Sequence, residues 1–464
     1  MKKLFTLFLF TTLTSFVLSA QSEITGQWSG TLEVQGIELR VVFNVSQIEN
    51  GYKTTMDSPD QGAKDIPIPV TVFNNPNVKF EIPGAIEYTG ALKGDKIIGT
   101  FKQSGVSLAL DLTKNTSGED LIKRPQEPKE PFSYYSEDVI FRNKKANITL
   151  AGTLTLPNQT GKFPAVVLIS GSGAQDRNSE ILGHKPFLVW SDYLTKNGIA
   201  VLRFDERGVG ESEGNFAKAT SNDFATDVQS AVEFLKTRKE IHKKKIGLIG
   251  HSEGGVIAPM VAVSNPKDIS FIVLLAGAGI QGSELLLLQQ KLILAASGIP
   301  QEDIEQNFEK HSRIFQEINQ STDDQQLKTN LNSIVLEYTS DNETPQGMTK
   351  EQYAQTQTST YTSPWMLNFI RYNPAVALQK VKCAVLAING DKDLQVPATE
   401  NLTAIRKALN KGKNKKITTK QYPNLNHLFQ ESETGLPQEY SLIEQTIFPK
   451  VLEDVTHWIK IQTK

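Results

Sequence analysis

Between residues 24 and 113, hydrophobic and polar positions alternate with a period of two. The positions that would share one face of a strand include Leu39, Val41, Phe43 and Val45. Turn residues separate these runs, as in the Lys-Gly-Asp-Lys segment at 93–96. Alternation bounded by turns is typical of half-buried strands. The pattern predicts a small antiparallel all-β domain over residues 21–115, built as a barrel or a sandwich.

A charged, proline-rich segment follows this domain. It contains the run "KRPQEPKEP" at 123–131. Proline cannot donate a hydrogen bond to a sheet or continue a helix, so this composition is typical of a semi-rigid spacer. We predict a linker over residues 116–132.

From residue 133 to residue 464 the pattern changes to short apolar runs separated by segments with helical spacing. The apolar runs are "AVVLIS", "IAVLRF", "KIGLIG", "FIVLLAG" and "CAVLAIN". Such alternation predicts an α/β domain with a mainly parallel sheet and helices on both faces. Ligands bind such sheets at the carboxyl ends of the strands. Residues that could perform chemistry at those ends are therefore of particular interest.

About 80 residues between "FIVLLAGAG" and "SPWMLNF" interrupt the alternation. They are rich in Leu, Gln and Glu, and Leu285, Leu288 and Leu292 have helical spacing. We predict a helical cap at about residues 281–362 that covers the strand ends and shapes the pocket. The alternative is a helical appendage that only packs against the domain.

The first twenty residues have the order of an export signal. Lys2 and Lys3 precede an interrupted apolar run at 4–18, and Ser19 and Ala20 are small. We predict a signal peptide over residues 1–20, a periplasmic or secreted protein, and no stable membrane insertion after cleavage. A single membrane anchor is the alternative, although the run is short for a spanning helix.

Charge and cysteine content exclude several other classes of protein. The chain has 49 basic and 51 acidic side chains and a net charge of −2. This balance gives no electrostatic reason to expect a nucleic-acid partner. The only cysteine, Cys383, excludes an intramolecular disulfide and is expected to pack as a small hydrophobic residue.

The strongest chemical signal is the G-x-S-x-G segment at 250–254, which lies between an apolar strand and a run of small residues. This arrangement predicts a nucleophile elbow, in which a tight turn lifts the Ser252 hydroxyl above the sheet. The backbone N–H of Glu253 would bind a developing oxyanion. We expect the second oxyanion donor to be the backbone N–H of Ser172, in the glycine-rich loop after the first core strand.

A serine nucleophile needs a base, which is activated in turn by an acid, and elbow enzymes carry them in the order Ser, Asp or Glu, His. Of six histidines, His427 alone combines this order with a loop after a late strand. Asp391 and Asp393 both follow the strand-like run "AVLAING", and we prefer Asp393 as the acid. Asp391 would then be a solvated or turn-capping residue.

Two further charged segments look structural. We expect Asp176 and Arg177 to pair and hold the loop that contains Ser172. The segment "DERGVGES" at 205–212 is expected to brace neighbouring loops and to have no catalytic role.

These motifs together resemble the secreted bacterial α/β-hydrolase esterases of the serine aminopeptidase-like group that carry an additional N-terminal β domain. The segments that carry the resemblance are "SPDQGA" at 58–63, "SGSGAQDRN" at 170–178, "RFDERGVGES" at 203–212, "GHSEGG" at 250–255, "SPWMLNFIRYNP" at 363–374, "NGDKDLQV" at 389–396 and "NHLFQ" at 426–430. The resemblance implies an α/β-hydrolase fold and a triad of Ser252, Asp393 and His427 that acts on carboxylic esters. It implies no metal and no organic cofactor. The chain departs from many hydrolases in starting the oxyanion loop with Ser-Gly rather than His-Gly.

The expected activity is hydrolysis of a small-molecule ester, with a short acyl group, through an acyl-enzyme. The same residues would also suit a serine peptidase or a thioesterase, and a non-enzymatic binding protein with a vestigial hydrolase core is the remaining alternative. Association into a homo-oligomer stays open.

Overall fold

The computed structural model divides the chain into two compact units. The first contains residues 1–59 and 63–119, and the second contains residues 60–62 and 120–464. The described residues are 24–34, 37–59, 63–103, 106–115, 123–339, 344 and 348–464. The predicted signal peptide over residues 1–20 lies outside these ranges, as do residues 60–62 of the "SPDQGA" segment.

The first unit is an antiparallel sheet, as the alternating pattern predicts. Its strands are β1 (Gly26–Val34), β2 (Ile37–Ile48), β3 (Gly51–Ser58), β4 (Ala63–Ile68), β5 (Val70–Asn74), β6 (Asn77–Ile82), β7 (Ile86–Lys93), β8 (Lys96–Gln103), β9 (Val106–Ala109) and β10 (Leu112–Asn115). They follow the order β4-β3-β2-β1-β10-β8-β7-β6-β5, and β9 pairs with β8. The two ends of this order lie close together, since Thr71 on the end strand β5 donates at 2.8 Å to Thr54 on β3, which is next to the other end strand β4. The sheet is a nearly closed barrel.

Aromatic side chains fill the interior of this barrel. The rings of Phe43 and Phe80 are stacked with centroids 4.5 Å apart, and Tyr88 lies 5.8 Å from Phe80. The buried Trp28 indole N–H donates to the Ile24 carbonyl oxygen at 2.7 Å. Large rings supply much apolar area, and the indole N–H has the partner that burial requires. The barrel therefore has a packed core.

The second unit has the α/β-hydrolase fold. Its strands are β11 (Tyr135–Asn143), β12 (Ile148–Leu156), β13 (Phe163–Ile169), β14 (Ala200–Phe204), β15 (Ile241–His251), β16 (Ile269–Leu275), β17 (Ala384–Gly390) and β18 (Ile417–Tyr422). The sheet order is β11-β12-β14-β13-β15-β16-β17-β18. Pairing is parallel from β14 to β18 and antiparallel for β11 and β12. The predicted α/β domain is confirmed.

Helices cover both faces of this sheet. They are α1 (Pro186–Lys196), α2 (Ser221–Thr237), α3 (Gly254–Ser264), α4 (Gly282–Ala296), α5 (Gln301–Gln320), α6 (Asp324–Tyr338), α7 (Lys350–Tyr361), α8 (Pro364–Arg371), α9 (Ala375–Leu378), α10 (Ala398–Lys411) and α11 (Pro449–Gln462), with 3-10 turns at Phe216–Lys218 and Pro437–Glu439. Helices α2, α3 and α10 pack on one face, and α1 and α11 pack on the other. Successive residues of a strand point to opposite faces. Val167 accordingly joins the first core, and Val166 joins the second.

Helices α4 to α8 lie between β16 and β17 in the sequence and form a cap with its own core. Ile314, Leu331 and Ile370 are fully buried in it, from α5, α6 and α8. Helix α8 therefore packs with the four helices of the predicted cap segment. Its start is defined by Pro364 at the first helical position and by the Ser363 hydroxyl, which accepts from the Met366 N–H.

The described part of the predicted linker is held against the second unit. The Arg124 guanidinium donates to the carbonyl oxygens of Ile443 and Ser441, both at 2.8 Å. The Gln126 side chain donates to the Ile447 carbonyl oxygen at 2.7 Å. Residues 123–132 form neither helix nor strand. Within the described residues, none of the helices combines the length and the apolar composition that spanning a membrane would require.

Candidate active site

Ser252 occupies the turn between β15 and α3, in a strained backbone conformation. Its φ is +54°, in the left-handed region that side chains other than glycine rarely adopt. Its backbone N–H donates to the Leu275 carbonyl oxygen at the end of β16, at 2.9 Å. This geometry is that of the predicted nucleophile elbow.

The glycines around Ser252 are required by close approaches of the backbone. A Cβ on Gly254 would overlap the carbonyl oxygen of Ile169, at the end of the neighbouring strand β13. A Cβ on Gly250 would overlap the carbonyl oxygen of Gly254 itself. Strand β15, strand β13 and helix α3 therefore approach one another so closely that only glycine fits at these positions.

His427 and Asp393 form a buried hydrogen-bonded pair. The His427 Nδ1 lies 2.8 Å from the Asp393 Oδ2, and the two residues are 4% and 2% exposed. The other carboxylate oxygen of Asp393 accepts from the backbone N–H groups of Gln395 and Val396, at 2.9 and 2.8 Å. These amides fix the orientation of the carboxylate, and the carboxylate in turn orients the imidazole.

Asp391 lies elsewhere. It is exposed, and its carboxylate accepts from the Asn424 backbone N–H at 2.6 Å. This contact joins the loop after β17 to the loop after β18. Of the two candidate acids, the structure brings only Asp393 to His427.

The side chains of Ser252 and His427 line one cavity of about 250 Å³ beneath the cap. Ser172 also lines it, and a Cβ on the adjacent Gly171 would lie 3.1 Å from the Ser252 Cβ. Glu253 is the N-cap residue of α3, so its N–H belongs to the amides that have no acceptor within the helix. Much of the cavity wall is apolar, and it includes Phe187, Trp190, Leu285, Trp365, Phe369 and Ile447.

Within the described residues, no group of three or more His, Cys, Asp or Glu side chains could hold a metal ion. Cys383 packs against the core beside α9 and α10, and burial raises its pKa to about 12. The thiol is consequently protonated at neutral pH, as expected for a packing residue.

Residues 187–433, more than half of the chain, match the family Hydrolase_4, described as "Serine aminopeptidase, S33". The chain belongs to this family.

Esterase EstD of Thermotoga maritima is similar to this Hydrolase_4 member, with 31% identity over 139 residues that cover 30% of this chain and 32% of EstD. The mitochondrial palmitoyl-protein thioesterase ABHD10 of Mus musculus is 28% identical over 140 residues, which cover 29% of this chain and 43% of that protein. The chain thus spans less than half the length of these two relatives. A structure of the esterase Pf2001 of Pyrococcus furiosus aligns with a TM-score of 0.44 and 16% identity, covering 75% of this chain and 100% of that chain.

A further histidine, His251, contacts the candidate base His427 in this Hydrolase_4 chain. The His251 Nε2 lies 2.9 Å from the His427 carbonyl oxygen, and the two rings are 4.8 Å apart. Burial, with a smaller contribution from the nearby His427, lowers the pKa of His251 to about 3. A neutral His251 therefore donates its Nε2–H to the backbone of the loop that carries His427. The position of His251 beside Ser252 was visible in the sequence, but this contact across 176 residues was not.

The "DERGVGES" segment braces its surroundings, as expected. The Ser170 hydroxyl donates to the Glu206 carboxylate at 2.6 Å, and the Gln175 N–H donates to the same group at 3.2 Å. These contacts tie both ends of the loop that contains Ser172. Burial raises the pKa of Glu206 to about 8, and the nearby Glu253 adds to the shift.

The expected pairing of Asp176 with Arg177 is wrong. The Arg177 guanidinium instead binds Asp205 at 2.7 Å, in the loop after β14. The Asp176 carboxylate accepts from the backbone N–H groups of Asn178 and Glu180, at 3.1 and 2.9 Å. Asp205 is buried beside β14, so it offers Arg177 a partner that is screened from water.

Sequence reasoning also missed the side chain of Glu253. Its carboxylate is buried and accepts from the Ser221 hydroxyl at 2.6 Å. It also accepts from the Trp365 indole N–H, with 2.9 and 3.0 Å to its two oxygens. Trp365 belongs to the quoted "SPWMLNF" segment, but a sequence does not reveal which carboxylate an indole will meet.

Proposed function

We propose that this chain is a serine hydrolase that cleaves small-molecule carboxylic esters through a triad of Ser252, His427 and Asp393. The observation that carries the proposal is the buried contact of 2.8 Å between His427 and Asp393, at a cavity that the strained Ser252 also lines. A serine, an oriented histidine and a carboxylate in the chain order of elbow enzymes are the parts that acyl transfer requires.

The mechanism follows from the roles of these groups. The Asp393 carboxylate accepts a hydrogen bond from the Nδ1–H of His427, which leaves the unprotonated Nε2 as the base that removes the Ser252 hydroxyl proton. The serine oxygen attacks the ester carbonyl carbon, and the oxyanion is stabilised by the N–H groups of Glu253 and Ser172. His427 then returns the proton to the leaving alcohol. Water repeats these steps on the acyl-enzyme and releases the acid.

The lining of the cavity favours esters over the substrates of an aminopeptidase. Among the described residues that line it, none is Asp, Glu, Lys or Arg. An aminopeptidase has to bind the ammonium group of its substrate, and a buried ammonium needs a carboxylate partner. A neutral, largely apolar acyl or alcohol group has no such requirement.

The volume of the cavity favours short groups. Pockets for small molecules usually measure about 300–1,000 Å³. A cavity of about 250 Å³ is smaller, which supports a short acyl chain in the ester. The thioester alternative keeps specific support, because the similar mouse protein is named a palmitoyl-protein thioesterase.

The test is the turnover of p-nitrophenyl acetate, butyrate, hexanoate and octanoate by the wild type and by Ser252→Ala, with butyryl thioester and alanine p-nitroanilide as alternative substrates. We expect the highest kcat/KM on short oxygen esters and its loss in the variant. Preferential cleavage of the thioester or the anilide would replace the ester proposal by the corresponding alternative. Unchanged activity in Ser252→Ala would exclude the triad.

The export of the chain is a second, separate proposal, supported by the composition of residues 1–20. N-terminal sequencing of protein recovered from cells that produce the full chain would test it. We expect the mature protein to begin at Gln21, and protein that retains residues 1–20 would contradict cleavage.

A further inference from the structure

The buried carboxyl group of Glu253 has no cationic partner among its hydrogen bonds, and burial raises its pKa. Its donors are the Ser221 hydroxyl and the Trp365 indole N–H. Burial of a carboxylate is costly unless its oxygens are well hydrogen-bonded. The Glu253 side chain is thus held by two neutral donors from separate parts of the chain.

Both donors lie in the first turns of helices that meet at Glu253. Ser221 is the first residue of α2, Trp365 is the second residue of α8, and Glu253 is itself the N-cap of α3. The amino ends of helices carry partial positive charge, which favours a carboxylate at this position. The carboxylate therefore joins the cap helix α8 to the helix that begins behind the nucleophile.

Trp365 has a second contact surface. Its ring lines the cavity and stacks on Phe369, with centroids 5.1 Å apart, and Phe369 lines the cavity as well. The indole N–H is thus bound to Glu253, while the ring forms part of the wall that substrate meets. Glu253 is not among the residues that line the cavity.

We propose that the Glu253 carboxylate holds Trp365 in place as a wall of the substrate cavity, and that this pair determines how large an acyl or alcohol group the enzyme accepts. The proposal rests on the proposed ester hydrolysis. Glu253 is then a positioning residue through its side chain, in addition to the role proposed for its backbone N–H. Loss of the indole hydrogen bond frees the ring to move, and the wall retreats.

The first test is a comparison of Glu253→Met, Trp365→Phe and the double variant. Methionine keeps the length of the side chain and removes both acceptor oxygens without changing any residue of the cavity wall. We expect each single variant to raise the ratio of kcat/KM for larger over smaller esters by about 5- to 10-fold, in an acyl series from acetate to octanoate or in an alcohol series of butyrate esters. The double variant should equal Trp365→Phe alone, because the Glu253 side chain acts on the cavity wall only through Trp365.

Two matched controls separate this role from general damage. Glu253→Gln keeps one acceptor oxygen for the indole, so its size profile should stay within about 2-fold of the wild type. Trp190→Phe makes the same chemical change at another position of the cavity wall. In the double variant of Trp190→Phe with Glu253→Met, the change in the kcat/KM ratio should equal the product of the two single changes. Loss by one common factor on every ester in Glu253→Met, or a double variant of Glu253→Met with Trp365→Phe that shows the product of both effects, would overturn the proposal.

A second readout does not depend on turnover. The fluorescence of Trp365 is obtained as the difference between wild type and Trp365→Phe, and the same difference is measured in the Glu253→Met background. We expect its emission maximum to shift in that background and to stay unchanged with Glu253→Gln. An unshifted spectrum in Glu253→Met would refute the link between the two side chains. If the shift occurs in Glu253→Met but the wild type hydrolyses no ester, only the proposed function is refuted.

Discussion

The backbone of Ser252 is the residue-scale feature from which the site is built. At a φ of +54° a side chain with a Cβ is strained, whereas glycine is not. Strain of this kind costs on the order of 1–3 kcal/mol and persists where the surrounding structure enforces it. Here the Ser252 N–H bond to Leu275 and the tight glycine contacts of β15 and α3 enforce it. The strained turn that places Ser252 at the cavity therefore lowers the stability of the fold.

Two substitutions at Ser252 separate these effects. Ser252→Ala and Ser252→Gly should both lower kcat by about 10⁴- to 10⁶-fold, because each removes the nucleophile. Only Ser252→Gly should increase the free energy of unfolding, by about 1 kcal/mol, because only glycine relieves the strain. Butyrate ester turnover and denaturant unfolding measure the two quantities. Equal stability of the two variants would contradict the assigned strain.

The two aspartates after β17 give a second test at the residue scale. Asp393→Asn should lower kcat by about 10⁴-fold, because an asparagine cannot hold the base in the required tautomer. Asp391→Asn should change kcat less than threefold or so, since its contact with Asn424 closes a turn and does not reach His427. Reversed effects in this matched pair would assign the acid to Asp391.

The sequence could predict the individual catalytic candidates because each lies in a local pattern. The elbow is defined within 250–254, and His427 follows from chain order and loop position. The choice between Asp391 and Asp393 depended on which carboxylate the loop directs toward His427, and that direction is set by amides of Gln395 and Val396. Arg177 was assigned a wrong partner for the same reason, since its partner Asp205 comes from another strand end.

At the scale of elements, the contact between β13 and α3 determines where the nucleophile lies. Gly254 is the first residue of α3, and a Cβ there would overlap the backbone oxygens of Ile169 and Ser170. Helix α3 can approach the end of β13 only because this residue has no side chain. The same approach brings the amino end of α3 toward the loop that contains Ser172.

Gly254→Ala should therefore push α3 away from β13. We expect a loss of about 1–3 kcal/mol of stability, typical of overpacking, and a decrease in kcat of at least about tenfold. Gly298→Ala is a suitable control, because its Cβ would meet open space although its φ is +75°. That variant should lose about 1–2 kcal/mol from backbone strain and keep its kcat. Full activity in Gly254→Ala would contradict the close approach.

The elements themselves were largely predictable. Apolar runs located the central strands β13 to β17, and alternation located the barrel strands, because both patterns follow directly from which face of a strand is buried. The partners of helix α8 were not predictable. Its residues Met366 and Ile370 pack in the cap core, while Trp365 reaches Glu253, and these contacts depend on the angle at which α8 leaves the cap.

At the scale of the whole molecule, the buried Glu206 couples stability to pH. Its pKa is raised by burial to about 8 in the folded state, against about 4.5 in a model carboxyl group. Below pH 4.5 it is protonated in both states and has no effect. Between pH 4.5 and 8 the unfolded chain ionises while the folded one does not, so stability falls as pH rises. Above pH 8 this loss is complete.

Glu206→Gln should remove this pH dependence while keeping an acceptor oxygen for the Gln175 N–H, and its amide N–H would donate to the Ser170 hydroxyl in place of the present bond from Ser170. The free energy of unfolding of the variant should exceed that of the wild type by an amount that grows by up to about 1.4 kcal/mol per pH unit between pH 5 and 8. Urea unfolding at four pH values measures it, with the exposed Glu211→Gln as the control. Parallel curves for Glu206→Gln and wild type would exclude a protonated Glu206.

The position of the cap between two neighbouring strands determines how much of the chain can change without disturbing the sheet. Strands β16 and β17 are parallel neighbours, with Phe271 opposite Ala384, yet the chain makes helices α4 to α8 before it returns from one to the other. The sheet constrains only the two points at which this helical excursion leaves β16 and returns to β17. Insertions or deletions within this excursion should therefore change the wall of the cavity without moving the strand ends that carry Ser252, Asp393 and His427.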